Sequence, residues 1–464
     1  MKKIVLLFNI VLFSLFAQSQ NEVFIGDWLG KIKTSGIELR IAFHISKLDG
    51  IYLTKLDSPD QNVFGTPANK TTVLNNDSII IEFPLMGAIY NGSIKNNIIE
   101  GVFHQSGYDL PLIMSHYEGE LKAPQRPQEP KGPFPYKEKE VKIKTPDEKV
   151  KLYGTLTIPE TKGPHPAVLL ISGSGQQNRD EELMGHKPFL VLADYLTRNG
   201  IAVLRYDDRG VGESTGDYKN ATTLDFAKDA EAAFNFLAKQ KHILKNKIGI
   251  IGHSEGGLIA PIIASHNNKV SFIVLMAGPS VPGSIIIPDQ QELILKASGE
   301  QESEVEKQFA LNKQIVDYIA KNTAIADIQQ DLAKNIENWM KELKISVPKS
   351  TSVKTFARQS AYSMSNSWMR AFITLSPQHY IDKVECPILA LFGENDLQVS
   401  VRANLEPMQQ LLAHHKNSKV HVFPKLNHLF QTSKTGNPSE YPLIEETLSP
   451  DFMAYVKNWI LQLP

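Results

Sequence analysis

"IGIIGHSEGGLIAPIIA" (residues 248–264) is the stretch from which the fold is read. Ile248, Ile250 and Ile251 are apolar and strand-like, whereas Leu258, Ile259, Ile262 and Ile263 recur at helical spacing. Between them Gly252-His253-Ser254-Glu255-Gly256 fits the G-x-S-x-G pattern of a nucleophile elbow. In such an elbow the glycines let strand and helix pass close on either side of a sharp turn, which leaves the serine hydroxyl exposed. A serine is also an ordinary polar residue at a strand-to-helix junction. The pattern permits a nucleophile; the rest of the chain has to supply its partners.

Strands and helices alternate on both sides of this stretch. "PAVLLIS", "PFLVLADYLTRNG", "IAVLRYD", "DFAKDAEAAFNFLAKQ" and "KIGIIG" precede it, and "SFIVLMAG" follows. That alternation predicts a mostly parallel sheet flanked by helices. It resumes with "CPILALFG", "LEPMQQLLAHH", "KVHVFP" and a closing helix "DFMAYVKNWILQL". Residues 137–281 and 381–464 are therefore assigned to one α/β domain. The intervening residues 282–380 are charged, Gln-rich and helical in period. Val305, Phe309, Val316 and Ile319 form one stripe, and Ile325, Ile328, Leu332, Ile336 and Trp339 or Met340 another. Inserted after a strand's C-terminal end, this segment is expected to be a helical cap over a site there.

Upstream, residues 22–122 read as a separate all-β domain, a small barrel or sandwich. "IELRIAFHI" alternates strictly, and turn signals stand at Asp49-Gly50, Asn75-Asn76-Asp77 and Asn91-Gly92. This domain contains no catalytic constellation and is expected to be an accessory module. Residues 123–136, with "APQRPQEPKGPFP", read as a stiff Pro-rich linker. The chain opens with "MKKIVLLFNIVLFSLFAQSQ", a basic start, a short apolar run and a small-x-small site at Ala17-Gln18-Ser19. Residues 1–19 are expected to be a signal peptide, which makes the protein exported, periplasmic or secreted, with no integral membrane segment after cleavage.

With 464 residues, two or three domains are expected, and a formal net charge of −1 gives no footprint for nucleic acid or an anionic membrane. Cys386 is the single cysteine and can form no internal disulfide; at the head of an apolar strand it reads as a buried, inert thiol. No Cys/His cluster has zinc spacing, so neither a metal nor a cofactor is expected.

A serine nucleophile needs a base, and the base an acid to orient it. In a parallel α/β sheet reactive groups collect at strand C-terminal ends, in the order Ser, acid, His. "ILALFG" ends in Gly393-Glu394-Asn395-Asp396, and "KVHVFP" leads to Lys425-Leu426-Asn427-His428. Asp396 is the candidate acid and His428 the candidate base. Glu394 is the rival acid, two residues too early in the turn. Among the other histidines, His253 is expected to point away from the serine, His414 and His415 end a helix, and His421 lies mid-strand. An oxyanion hole needs two donors. One is expected at the backbone N–H of Glu255, at a helix N-terminus. The other is expected in the loop Ser172-Gly173-Ser174-Gly175-Gln176-Gln177, at Ser174 N–H, with Gly175 or Gln176 open by a shift in register. "RYDDRGVGESTG" (205–216) lacks the glycine order of a phosphate loop and reads as a charged brace beside the site.

The segments "LISGSGQQNRDE", "GHKPFLVLADYLTRNGIAVLRYDDRGVGEST", "IGIIGHSEGGLIAP" and "PILALFGENDLQV" resemble the α/β-hydrolase superfamily. Within it, the chain from about 137 to 464 looks like bacterial serine esterases and hydrolases related to the S33 serine aminopeptidases. The resemblance implies a triad at Ser254, Asp396 and His428, and an N-terminal β module of unassigned role. Glutamine at 176, where that family often has proline, departs from its pattern. The expected activity is hydrolysis of a small-molecule ester, or of another short acyl substrate, through an acyl-enzyme. An S33-type aminopeptidase is the alternative, and it would need an acidic group facing the substrate amine. A non-catalytic binding protein is the remote third reading.

Overall fold

A computed structural model describes residues 22–464, apart from 35–36, 62, 76, 106–107, 324–326 and 348–350. The expected signal peptide, Asn76 and Ile325 lie outside the described residues. The chain divides into two compact units, the first made mainly of residues up to Glu120 and the second of Leu121–Pro464.

The first unit is all β. Its strands are β1 (Gly26–Thr34), β2 (Ile37–Leu48), β3 (Ile51–Ser58), β4 (Val63–Pro67), β5 (Lys70–Leu74), β6 (Ser78–Phe83), β7 (Ala88–Lys95), β8 (Ile98–Gln105) and β9 (Tyr108–His116). They form a nine-stranded sheet ordered β4-β3-β2-β1-β9-β8-β7-β6-β5. Alternation places Ile41, Phe43 and Ile45 of β2 in a core with Trp28, Phe83, Tyr90 and Phe103. Asn91-Gly92, read as a turn, lies inside β7 instead. A Cβ at Gly92 would come within 2.7 Å of the Tyr90 ring, so glycine is there to admit an aromatic side chain.

The second unit has an eight-stranded sheet built from β10 (Tyr136–Lys144), β11 (Lys151–Pro159), β12 (His165–Ile171), β13 (Ala202–Tyr206), β14 (Ile243–His253), β15 (Phe272–Met276), β16 (Ile388–Gly393) and β17 (Lys419–Phe423). Its order is β10-β11-β13-β12-β14-β15-β16-β17. β11 runs antiparallel to both neighbours, and the strands from β13 to β17 pair in parallel. The central strands are buried on both faces, which is why they read as continuous apolar runs rather than alternating ones.

Helices α1 (Pro188–Arg198), α2 (Thr223–Leu237), α3 (Glu255–Ala264), α4 (Gly283–Ala297), α5 (Glu302–Lys321), α6 (Gln329–Glu342), α7 (Val353–Met364), α8 (Ser367–Thr374), α9 (Pro377–Ile381), α10 (Val401–Leu412) and α11 (Pro450–Gln462) complete the unit. α3 carries no polar face; apart from its last residue it is buried all round. α5 to α8 share an apolar core of their own, with Val316, Ile319, Leu332, Ile336 and Met340 fully buried. Trp339 is part-buried, edge-on to Tyr318, and Met340 is the interior residue of that pair.

The Pro-rich segment is strapped down. The Arg126 guanidinium donates to the carbonyls of Gly185, Pro442 and Ile444, and Gln128 donates to Leu448 O and accepts from the Thr447 and Leu448 N–H groups. Among the described residues no helix is long and apolar enough to cross a membrane.

Candidate active site

The site begins where β14 turns into α3. Ser254 has φ 52° and ψ −115°, a conformation costing a non-glycine residue about 1–3 kcal/mol unless its surroundings enforce it. Here they do. Ser254 N–H donates to Met276 O of β15 at 2.8 Å, and Gly257 N–H donates to Ser254 O at 2.9 Å. A Cβ at Gly252 would stand 2.0 Å from Gly256 O, and one at Gly256 would stand 2.1 Å from Ile171 O. Both positions are glycine because backbone occupies the space of a side chain. From Ile251 to Ala260 every residue is buried except Ser254, which is part-exposed.

The candidate acid and base arrive from later strand ends. Asp396, in the turn after β16, is 2% exposed. Its Oδ1 accepts the N–H groups of Gln398 at 2.8 Å and Val399 at 2.9 Å, which fixes the carboxylate plane. Its Oδ2 stands 2.8 Å from His428 Nδ1. His428 is held by a tight loop after β17, in which the buried Asn427 Oδ1 accepts the N–H groups of Leu429 and Gln431, each at 3.0 Å. Glu394, the rival acid, instead accepts Lys425 N–H at 3.0 Å. His421 of β17 stacks on Tyr455 of α11, and His414 and His415 line a separate groove with Ser280 and Gln378.

Loop 172–187, between β12 and α1, passes beside Ser254. A Cβ on Gly173 would lie 3.2 Å from Ser254 Cβ. Gly173 N–H donates to Glu181 Oε1 at 2.8 Å and Gln177 N–H to Asp208 Oδ2 at 3.1 Å, so both ends of the glycine-rich turn are tied down. Ser174, between these ties, lines the chamber that holds Ser254. Glu255 opens α3, and as a first helical residue its N–H has no intrahelical acceptor.

The charged loop 205–216 does brace the site, as expected, through partners that the sequence pattern did not name. Arg179 grips Asp207 through Nε at 3.2 Å and Nη2 at 2.7 Å, and also contacts Glu140. Arg205 pairs with Asp180, and Arg209 forks onto Asp229 at 2.6 and 2.9 Å. His253 does more than point away: its Nδ1 is 2.8 Å from Glu181 Oε1, and its Nε2 is 2.9 Å from His428 O. The clue available in the sequence was the density of charge in "NRDE" and "RYDDRG". Cys386 is part-buried, and burial pushes its thiol pKa up to about 12, which keeps it protonated and inert.

The cap closes over Ser254 to leave a chamber of about 480 Å³. Its walls are apolar on the cap side (Ile286, Ile294, Leu295, Met369, Phe372), with the amides of Gln290, Gln291, Asn312 and Gln398 interspersed. Among the described residues Glu255 is its one acidic lining residue, and Glu255 Oε1 accepts from Thr223 Oγ1 at 2.6 Å and Trp368 Nε1 at 2.7 Å. Burial raises the Glu255 carboxyl pKa, against the pull of those two donors. Beyond Ser174 and Trp368, which line both spaces, lies a more polar groove of about 890 Å³ that reaches Lys219, Asn220 and Arg370.

The family model for serine aminopeptidase, S33 matches residues 187–433, just over half of the chain. Esterase EstD of Thermotoga maritima is 27% identical over 295 residues, covering 62% of this chain and 61% of that esterase. The 2,6-dihydropseudooxynicotine hydrolase of Paenarthrobacter nicotinovorans is 31% identical over 121 residues, covering 26% of this chain and 30% of that enzyme. The chain thus spans less than two thirds of either relative. Among solved structures, the Pyrococcus furiosus esterase Pf2001 aligns with a TM-score of 0.41 at 18% identity, over 71% of this chain and 93% of that one. The nucleophile elbow, the sheet order and the family match agree, and the chain belongs to the serine aminopeptidase S33 family of α/β-hydrolase-fold hydrolases.

Proposed function

We propose that this hydrolase cleaves carboxylic esters of small molecules through an acyl-enzyme on Ser254. The observation that carries the reading is the 2.8 Å contact from Asp396 Oδ2 to His428 Nδ1, set in the loop after the last strand, while the part-exposed Ser254 opens onto the chamber. A carboxylate accepting at Nδ1 keeps the proton there and leaves the Nε2 lone pair free to act as base.

Ser254 Oγ attacks the ester carbonyl carbon as its proton passes to His428 Nε2. The oxyanion takes hydrogen bonds from Glu255 N–H and Ser174 N–H. The C–O bond to the alcohol breaks, and the alkoxide leaves with the proton from His428. Water, deprotonated by His428, then attacks the acyl carbon; the acid departs and Ser254 recovers its proton. Asp396 holds the imidazolium that forms in each half-reaction.

Ester rather than N-terminal peptide cleavage is supported by the chamber lining. An aminopeptidase needs a carboxylate free to hold an ammonium. The chamber's acid, Glu255, already accepts two hydrogen bonds and is biased toward its neutral form by burial. The basic and then apolar opening of the sequence supports export. The activity reading is tested by assaying p-nitrophenyl butyrate and aminoacyl p-nitroanilides with the wild type and with Ser254→Ala. Ester turnover that disappears in the variant is expected. Turnover of anilides alone would move the assignment to a peptidase, and equal ester turnover by both proteins would refute the mechanism.

A further inference from the structure

The contact between Glu181 and His253 joins the two loops that the proposed chemistry most needs in register. On one side Glu181 Oε1 accepts Gly173 N–H at 2.8 Å, one residue before the oxyanion donor Ser174. On the other, His253 Nε2 is 2.9 Å from the carbonyl oxygen of His428, the proposed base. The two side chains meet at 2.8 Å, and both are buried. Residues 173, 181, 253 and 428 thus form a continuous chain behind Ser254.

The hydrogen-bond chemistry fixes what this chain carries. A carbonyl oxygen only accepts, so His253 Nε2 bears a proton. Glu181 Oε1 already accepts from Gly173, and a carboxylate oxygen also takes a hydrogen bond from His253 Nδ1–H. His253 is then an imidazolium with both N–H groups used. Burial pulls its pKa down, but the Glu181 charge and hydrogen bond, together with the His428 carbonyl and the Asp396 charge, raise it, in agreement with the geometry. Glu181 Oε2 is buried with no hydrogen-bond partner among the described residues, so the carboxylate depends on Gly173 and His253. Glu181 also sits at φ 52°, a left-handed backbone that persists only where its surroundings enforce it. The rings of His253 and His428 are 4.8 Å apart between centroids.

We propose that Glu181 and His253 are positioning residues, a buried carboxylate–imidazolium pair that holds the oxyanion loop and the base loop at a fixed spacing around Ser254. The pair touches neither substrate nor reacting atoms. It acts through Gly173 on the donor at Ser174, and through the His428 carbonyl on the imidazole. The proposal rests on the serine-esterase reading of Ser254 and His428.

The test uses the full chain, p-nitrophenyl butyrate, and an alkyl trifluoromethyl ketone, whose hemiketal oxyanion needs both donors. Glu181→Ala is expected to lower kcat by roughly 100-fold, the scale of a lost oxyanion donor, with KM changed less than about threefold. The inhibition constant of the ketone should rise by the same factor as kcat/KM falls. Glu181→Gln, whose amide oxygen can still accept from Gly173, should recover at least about tenfold of the loss. The proposal is overturned if folded Glu181→Ala keeps kcat within about threefold, or if its loss lies in KM while ketone binding stays unchanged. Should Glu181→Ala not fold, His253→Gln is measured in its place with the same two outcomes. Full activity in Ser254→Ala would instead sink the underlying reading, whatever the Glu181 variants do.

Discussion

The floor of the site and the cap above it are held together by different physics. In the floor, charges come in pairs: Arg179 with Asp207, Arg209 with Asp229, Arg205 with Asp180, His253 with Glu181. Each joins segments 20 to 72 residues apart in sequence. In the cap, α5 to α8 bury aliphatic side chains against one another. Polar ties from cap to floor among the described residues include Trp368 to Glu255, Asp289 of α4 to Ser400 and Arg402, Glu292 of α4 to Arg402, and Ser298 to Asn437. Directional bonds fix atoms to tenths of an ångström, as a reacting centre demands; apolar packing fixes a volume, which suffices to choose among substrates. The floor should therefore respond to substitution in kcat or stability, and the cap in substrate preference.

The largest effect expected is at His428. His428→Ala should lower kcat on p-nitrophenyl butyrate by about 10⁴-fold or more, with little change in KM, in steady-state assays. A loss confined to KM would place His428 among binding groups and erase the contrast between floor and cap.

Next comes the stability of the floor. Arg209→Met leaves Asp229, nearly fully buried, without its partner. Breaking a buried pair from one side costs about 3–5 kcal/mol, which urea denaturation would read as a lower midpoint at unchanged slope. An exposed cap pair gives the control. Lys313→Ala, opposite Asp317 on the solvent face of α5, should cost less than about 1 kcal/mol.

Two buried histidines sharpen the role of partner chemistry within the floor. His186 is 2.9 Å from Tyr441 O and 3.0 Å from the Thr447 hydroxyl, with no carboxylate beside it. Burial lowers its pKa to about 4, so it is neutral in the fold. The unfolded chain binds its proton below about pH 6.5, so this site loses stability as pH falls from 6.5 toward 4. A pKa that drops from 6.5 to about 4 on folding corresponds to a loss on the order of 3 kcal/mol at the acid end. His253 has the opposite sign: its pKa is raised by Glu181, so its contribution is complete below about pH 6.5 and fades as pH rises through the folded value. The melting temperature of His186→Gln should fall less steeply than that of the wild type between about pH 6.5 and 4. Identical slopes would mean that His186 is not held neutral.

The smallest effect is expected in the cap. Trp368→Ala removes the ring shared by chamber and groove, and with it the Nε1–H bond to Glu255. The ratio of kcat/KM for octanoate over butyrate p-nitrophenyl esters should rise by about tenfold, with kcat on butyrate changed only a few-fold. A large fall in kcat on both esters would show that Trp368 belongs to the catalytic floor.

What the sequence disclosed follows the same division. The placement of Ser254, Asp396 and His428 was legible because each follows a strand of the parallel sheet, and the parallel order brings those strand ends to one side. The elbow glycines were legible for their steric role, and the cap for its helical stripes. Of the floor's pins, the charged brace at 205–216 was legible as such, but its partners and the Glu181–His253 pair were not. Glu181 meets His253 72 residues later, and only a left-handed residue at 181 aims it there. Nothing in "NRDE" announces that turn. Asn91-Gly92 looked like a hairpin signal because a glycine that admits the Tyr90 ring and a glycine that permits a turn are the same letter. The Pro-rich segment read as a stiff linker, and its anchoring was not legible because the anchors, the carbonyls of residues 185, 442, 444 and 448, belong to the backbone and have no side-chain signature.

The central claim is that Ser254 forms the acyl-enzyme, and a fluorophosphonate tests it most directly by forming a stable adduct with an activated serine. Peptide mass spectrometry of the inactivated protein should find one adduct, on Ser254, with loss of ester hydrolysis proportional to its occupancy, and no adduct in His428→Ala over the same time. Complete inactivation with the adduct on another residue, or retained hydrolysis with Ser254 fully modified, would contradict the account.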